Sequence, residues 1–407
     1  MTVIDWSSSE MAASCVNSLP TAGAQATVLY LIDELDGIGG TERALLRVVQ
    51  HLPRDKFRPL VATFRHVPTF PADALAAPLH VIPLRKTYDL GALRAARSLR
   101  SLIREQQVRI THCFFETADL WGGLVAKWAG CPILISSRRD MGIMTNWKHR
   151  FAYKVLGRMF DQVQTVSDQV RQLAITRDRL LPERVVTVHN GIDVEADEEV
   201  LTREEIRARL DIRAGSSIVV TLGNLRRIKG VEVLLRAAAL VCRSHPGTVF
   251  LIVGDALDSG YLEELQQLAA SLGISDYIRF WGPETRPARL LRACDVFALL
   301  SHSEGFSNAI VEAMASRLPC VVTDVGGNRE AVFDGRNGFV VDRGDYQAAA
   351  GRIIKLIADD GARQRMGDAA FRVVEERFTT TAMISRLTAC YEGLLRRAAQ
   401  PKWMDRT

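Results

Sequence analysis

Short apolar runs alternate with longer stretches of helical period along nearly the whole chain, and polar or glycine-bearing loops separate them. Continuous apolar runs bounded by turn residues predict buried strands. They occur at Thr27 to Ile32, Arg58 to Thr63, His80 to Pro83, Val108 to Phe114, Ile133 to Ser136, Gln162 to Val166 and Val185 to Val188. A second series follows at Val219 to Leu222, Val249 to Val253, Ile278 to Pro283, Val296 to Leu300 and Cys320 to Thr323. Strands alternating with helices predict parallel sheets wound on both sides. An acidic, helix-prone stretch from Val194 to Leu210 divides the two series. Two domains are therefore expected, over 27–193 and 213–377, joined by a linker over 194–212 and preceded by an extension over 1–26. The extension has no basic start and no long apolar core, so it reads as poorly ordered chain and not as a signal peptide.

Ligands of such sheets meet the carboxyl ends of the strands. The loop after Leu300 is the most heavily loaded: Glu304, Gly305, Phe306, Ser307 and Asn308 lead into a helix carrying Ala309, Ile310, Val311, Ala313 and Met314. Ser307 or Asn308 suits its N-cap, and a helix start of this kind offers backbone N–H groups and a positive dipole end to phosphate. Glu304 stands before that helix and Glu312 on its second turn. A carboxylate accepts hydrogen bonds in pairs, which fits vicinal hydroxyls of a sugar or ribose. An anion-binding helix end between two hydroxyl-binding carboxylates points to a nucleotide sugar.

Other strand ends carry further candidates. Gly39 and Gly40 separate the first strand from the first helix and allow a close backbone approach. Glu42 stands where a dinucleotide fold needs its last glycine, which speaks against a nicotinamide site. Arg226, Arg227 and Lys229 load the loop after Leu222 with charge able to neutralise a diphosphate, with Arg227 also readable as plain surface charge. His112 ends a strand, and Ser136 to Asp140, Ser167 and Asn190-Gly191 sit at other strand ends. A second glycine pair, Gly326-Gly327, forms another close-approach loop before Asn328, Arg329 and Glu330.

Composition narrows the chemistry. Seven scattered cysteines without Cys-x-x-Cys predict free thiols in a reducing compartment, with neither a disulfide frame nor a zinc site. Neither His-Glu-x-x-His nor Asp-x-Asp occurs, so no metal is expected and positive groups must meet the diphosphate. The net charge of +5 is uneven: residues 1–193 carry 24 Lys and Arg against 18 Asp and Glu. No apolar run reaches the roughly 18 residues that span a bilayer. A helix from Trp147 would align Arg150, Lys154 and Arg158 beside Phe151, which fits a helix lying on anionic lipid; Arg94, Arg97 and Arg104 form a weaker basic stripe. The alternative is a solvated face over a core of Phe151, Val155, Leu156 and Met159.

The run from Glu304 to Glu330 resembles the C-terminal motif of retaining glycosyltransferases of the GT-B fold, family 4, and the resemblance extends over nearly the whole chain after about residue 26. It implies two Rossmann-like domains facing a cleft, with a nucleotide-sugar donor, UDP- or GDP-linked, held by the second. By resemblance Glu304 contacts the donor sugar, Glu312 the ribose, and Gly39 and Gly40 lie opposite the diphosphate together with Phe306, Ser307 and Asn308. Lys229 matches the family's lysine by position, while Asn224 occupies the usual arginine place and Arg226 is the substitute. His112 matches the first of two histidines common in relatives, with Phe114 at the second. Asn190-Gly191-Ile192-Asp193 resembles the family's end to the first domain, and the helix over Phe378 to Leu395 is expected to cross back onto it. The resemblance further implies transfer to a glycan or lipid-linked acceptor, surface-polysaccharide synthesis, and a cytoplasmic enzyme at the inner face of the membrane, without nucleic acid. The alternatives are a nucleotide-sugar 2-epimerase of the same fold and an inactive nucleotide-sugar-binding scaffold.

Overall fold

A computed structural model describes residues 25–35, 39–66, 75–142, 147–194, 202–213 and 215–400. Most of the expected extension, the central part of the expected linker, and the side chains of Trp147 and Arg150 lie outside the described residues.

The first sheet has seven parallel strands in the order β3-β2-β1-β4-β5-β6-β7. These are β1 (Ala26–Leu35), β2 (Phe57–His66), β3 (Leu79–Val81), β4 (Val108–Phe114), β5 (Ile133–Arg138), β6 (Gln162–Thr165) and β7 (Val185–Thr187). Each covers or nearly covers an apolar run read from the sequence. Burial on both faces makes the runs continuous, and crossover helices keep the strands parallel. Helix α1 (Gly40–His51) covers one face, where Leu45 and Val49 meet Tyr30 and Phe57. Helices α2 (Leu90–Glu105), α3 (Gly123–Ala129), α4 (Trp147–Leu156) and α5 (Asp168–Thr176) belong to the same domain. Leu99 and Ile103 of α2 and Val125 of α3 pack on the other face.

The second sheet has six strands in the order β10-β9-β8-β11-β12-β13. They are β8 (Ser217–Leu222), β9 (Thr248–Val253), β10 (Ile278–Gly282), β11 (Val296–Leu299), β12 (Cys320–Thr323) and β13 (Gly338–Val341). With them come α6 (Arg203–Leu210), α7 (Val231–Ser244), α8 (Tyr261–Ser271), α9 (Ala288–Leu291), α10 (Asn308–Ala315), α11 (Asn328–Ala331), α12 (Tyr346–Ala358) and α13 (Asp360–Arg377). The expected linker is only partly a linker, because α6 buries Ile206 in the core of the second domain. A Thr202–Glu205 capping box fixes the start of that helix.

The last helix, α14 (Thr380–Ala399), returns to the first domain as expected. There Met383, Leu387, Tyr391 and Leu394 are buried against the face that α1 also covers, each contributing roughly 1.5–3 kcal/mol by its removal from water. The crossing is tight. Ile192 N–H donates to the Phe378 carbonyl at 2.9 Å and Thr380 N–H to that of Ile192 at 2.9 Å. A Cβ at Gly191 would lie 2.4 Å from the carbonyl oxygen of Thr379, the N-cap of α14, so the Asn-Gly step is where the chain leaves room for the start of the returning helix.

Strand order reverses between β1 and β4 in one sheet and between β8 and β11 in the other. Crevices form at such reversals, outside the carboxyl ends of the strands. The loops after β1, β8 and β11 are therefore where a ligand is expected.

Candidate functional site

Lys229 and Glu304 come from the loops after β8 and β11, and the backbone forces those loops together. The loop after β8 ends in a short turn over Arg227–Lys229, closed by Gly230 in the left-handed region at φ 62°. A Cβ at Gly230 would stand 2.1 Å from the Leu300 carbonyl oxygen, and His302 N–H donates to the Ile228 carbonyl at 2.8 Å. This seam leaves Lys229 Nζ 2.8 and 3.0 Å from the two oxygens of Glu304. Ser301 Oγ donates to Glu304 Oε1 at 2.7 Å. Glu304 is only 9% exposed, so the ammonium supplies the compensation that a buried carboxylate requires.

Next to this pair, α10 begins. Ser307 is its N-cap in extended conformation, and its side chain makes no capping bond, so the first-turn N–H groups have no partner within the helix. Asn308 instead ties the domains: its Oδ1 accepts from Asn190 Nδ2 at 2.7 Å and its Nδ2 donates to the Gly40 carbonyl at 3.2 Å. Gly39 caps α1, so the starts of α1 and α10 meet here, and two positive helix ends favour an anion between them. Further along α10, the carboxylate of Glu312 lies 3.6 Å from Arg43 Nη1 and 3.9 Å from Arg47 Nη2. Burial pushes the pKa of Glu312 up, and these two guanidiniums offset part of the rise. Arg43 also donates to the Glu284 carbonyl at 3.4 Å. Neither arginine was singled out from the sequence; the available signal was their i, i+4 spacing on α1 directly behind the glycine pair.

The other candidates are placed differently. Arg226 is exposed and takes no ion pair among the described residues, whereas Arg227 pairs with Glu264 at 2.7 and 2.5 Å and lies over the Tyr261 ring. Phe306 turns its ring into an apolar seam between His189 and Phe378, each centroid 5.2 Å away, which leaves its backbone for a ligand. Ser307 is buried beside it. His112 is packed in the core of the first domain: its Nδ1 lies 2.8 Å from Tyr391 Oη of α14 and its ring leans on Phe114. Burial, aided by the charge of Arg139, pulls the pKa of His112 down to about 3, so the ring is neutral at physiological pH. His112 makes no contact with the Lys229–Glu304 pair among the described residues and lines a small cavity at the strand ends together with Arg139 and Asn190. Arg139, within the Ser136 to Asp140 strand end, donates to Asn190 Oδ1 at 2.5 Å, and burial pushes its pKa down to about 10. The close approach made possible by Gly326 and Gly327 is to the protein's own Glu304–Phe306 loop.

Two family models match the chain: one described as glycosyl transferases group 1, over residues 202–373, and one as glycosyltransferase family 4, over residues 38–196. A D-inositol 3-phosphate glycosyltransferase of Thermobispora bispora is 30% identical over 308 residues, 71% of this chain and 71% of its own length. A protein of the same description from Streptomyces avermitilis is 37% identical over 201 residues, 47% of this chain, and the chain spans 43% of that relative's length. Among solved structures, Anabaena HepE in complex with UDP superposes with a TM-score of 0.79 at 23% identity, covering 90% of this chain and 100% of its own. At that identity the likeness speaks for the fold, two facing parallel-sheet domains of the GT-B type.

Proposed function

The chain belongs to glycosyltransferase family 4, and from that premise we propose that it moves a hexose from a nucleotide sugar to a glycan or lipid-linked glycan with retention of configuration. The observation that carries this reading is the bidentate Lys229–Glu304 pair at the β8/β11 reversal, beside the meeting starts of α1 and α10. Lys229 and the helix ends supply positive charge to the departing diphosphate without a metal, and exposed Arg226 is available to add to it. Glu304 orients the sugar and Glu312 takes the ribose hydroxyls. The sugar C1–O bond to the diphosphate breaks as the acceptor oxygen bonds to C1 on the same face, and the acceptor proton leaves on a phosphate oxygen. No protein nucleophile takes part.

The test is thermal stabilisation by a metal-free panel of nucleoside diphosphates and nucleotide sugars. The panel begins with UDP, which HepE holds in its crystal structure. A ligand at 100 times its dissociation constant adds about 2.7 kcal/mol to the native state. One nucleotide should raise the melting temperature, and the shift should shrink in Glu312→Ala. A folded protein indifferent to every nucleotide would remove the assignment.

The acceptor side supports a membrane setting for the same reaction. Ten of the eleven exposed large hydrophobic residues among those described lie before residue 194, so the apolar surface belongs to the first domain. On α4, Phe151 is 65% and Val155 56% exposed, beside exposed Lys154 and Arg158. The alternative in which Phe151 and Val155 belong to a core does not hold: Tyr153, Gly157 and Phe160 face inward instead. No described helix is long and apolar enough to cross a membrane. The protein should co-sediment with phosphatidylglycerol vesicles and less so with neutral ones, weakening with salt. Phe151→Glu with Val155→Glu should lower the bound fraction roughly tenfold or more, at about 0.8 kcal/mol per buried methylene lost. Equal binding by that double variant would discard the α4 surface.

A further inference from the structure

Glu330 belongs to the second domain but its carboxylate is used by the first. It lies in α11, three residues after Gly327. Its Oε2 accepts from Asp168 N–H at 2.9 Å and its Oε1 from Gln169 N–H at 3.2 Å, so it caps the start of α5 across the domain boundary. Its Oε2 also lies 2.6 Å from His189 Nε2, on the chain leaving β7. His189 in turn meets Phe306 at a tilt and Phe378 edge to face, at 5.2 and 5.4 Å, the three rings forming one cluster.

The other end of this short segment is bolted to Glu304. A Cβ at Gly326 would fall 1.7 Å from the Glu304 carbonyl oxygen, and Gly327 N–H donates to the Gly305 carbonyl at 2.9 Å. A Cβ at Gly327 would meet Ser167 Cβ at 2.7 Å, so the same loop also bears on the N-cap of α5. The chain from Gly326 to Glu330 thus touches the Glu304 loop with one end and grips the first domain with the other. Packed backbones of this kind transmit displacement and do not absorb it.

We infer that Glu330 is a positioning residue: through it the first domain holds the Glu304 loop in place, so that turnover depends on α5 being seated on Glu330. This rests on the function proposed above for Glu304. A charge-assisted bond to two amides and an imidazole is the strong kind, and its loss releases the seating without touching Lys229, Glu304 or Glu312.

The experiment compares wild type, Glu330→Gln and Glu330→Ala in three readouts: amide hydrogen exchange at Asp168 and Gln169, affinity for UDP and GDP, and turnover of the nucleotide sugar. In Glu330→Ala, exchange at both amides should accelerate and kcat fall by about ten- to a hundredfold, the scale of a lost charged hydrogen bond. Nucleotide affinity should stay unchanged, and Glu330→Gln should lie between, since its amide oxygen still accepts one N–H. Unchanged exchange and kcat overturn the inference. So does a parallel loss of nucleotide affinity, kcat and melting temperature, which marks a merely structural role. If wild type neither binds nucleotide nor turns over a donor, the proposed function fails, and exchange at Asp168 and Gln169 alone then decides whether Glu330 seats α5.

Discussion

Lys229→Ala is expected to lower kcat/KM for the nucleotide sugar by about 10²–10³-fold, the usual consequence of removing one preorganised charge from a developing anion. Two separate losses contribute. One is electrostatic stabilisation of the departing diphosphate. The other is structural, because Glu304 is only 9% exposed and Lys229 Nζ is within 3.0 Å of both its oxygens. Stripping a buried carboxylate of its partner costs about 3–5 kcal/mol, and the figure here falls at the lower end because the Lys229 side chain is 25% exposed.

The double variant Lys229→Ala, Glu304→Gln separates the two. Making residue 304 neutral removes the uncompensated charge, so melting temperature should recover while kcat/KM stays low. Melting curves and steady-state rates on the four members of the cycle measure this. If the rate recovers together with stability, Lys229 serves only to neutralise Glu304 and the diphosphate must find its charge elsewhere, with Arg226 the first alternative.

Much of this architecture is legible in the chain because parallel strands buried on both faces announce themselves as continuous apolar runs. β4 runs from Val108 to Phe114 as read, and the loops after β8 and β11 stand where the apolar runs stop. β13 is harder, since Gly338–Val341 is a four-residue run with no alternation to lengthen it. The helix α6 falls within helix-prone sequence, but one buried Ile206 is too little to assign it to a domain. The side chains of the site divide in the same way. Lys229 and Glu304 are legible as charges in strand-end loops, whereas their contact across 75 residues is a product of the fold. Arg43 and Arg47 look in sequence like the wet side of an amphipathic helix; only the approach of α10 gives them Glu312. His112 reads alike whether it faces a ligand or Tyr391, because a strand end sets its position and not the direction of burial. On α4 the period sets Phe151 and Val155 beside a basic stripe, and nothing local says that Tyr153 and not Phe151 turns inward.

Gly326→Ala is expected to be the most damaging single methyl group that can be added near the site. Residue 326 has φ 52°, a left-handed conformation that costs an L-residue roughly 1–2 kcal/mol. The added Cβ would also lie 1.7 Å from the Glu304 carbonyl oxygen and 2.6 Å from its carbonyl carbon. Backbone atoms have no rotamer to change, so the two loops must move apart, at a further cost of roughly 1–3 kcal/mol. Together these should lower the melting temperature by roughly 5–15 °C for a domain of this size. The surviving folded protein should turn over about a hundredfold more slowly, since a displacement near 1 Å at a reacting group has that effect. Gly335→Ala is the matching control, with φ 73° but nothing within 4 Å of its added Cβ. It pays the conformational cost alone, so its melting temperature should drop by a few degrees, with kcat intact. If the two variants melt and turn over alike, strain at residue 326 and not collision with Glu304 accounts for its glycine, and the Gly326-Gly327 loop has no hold on the carboxylate.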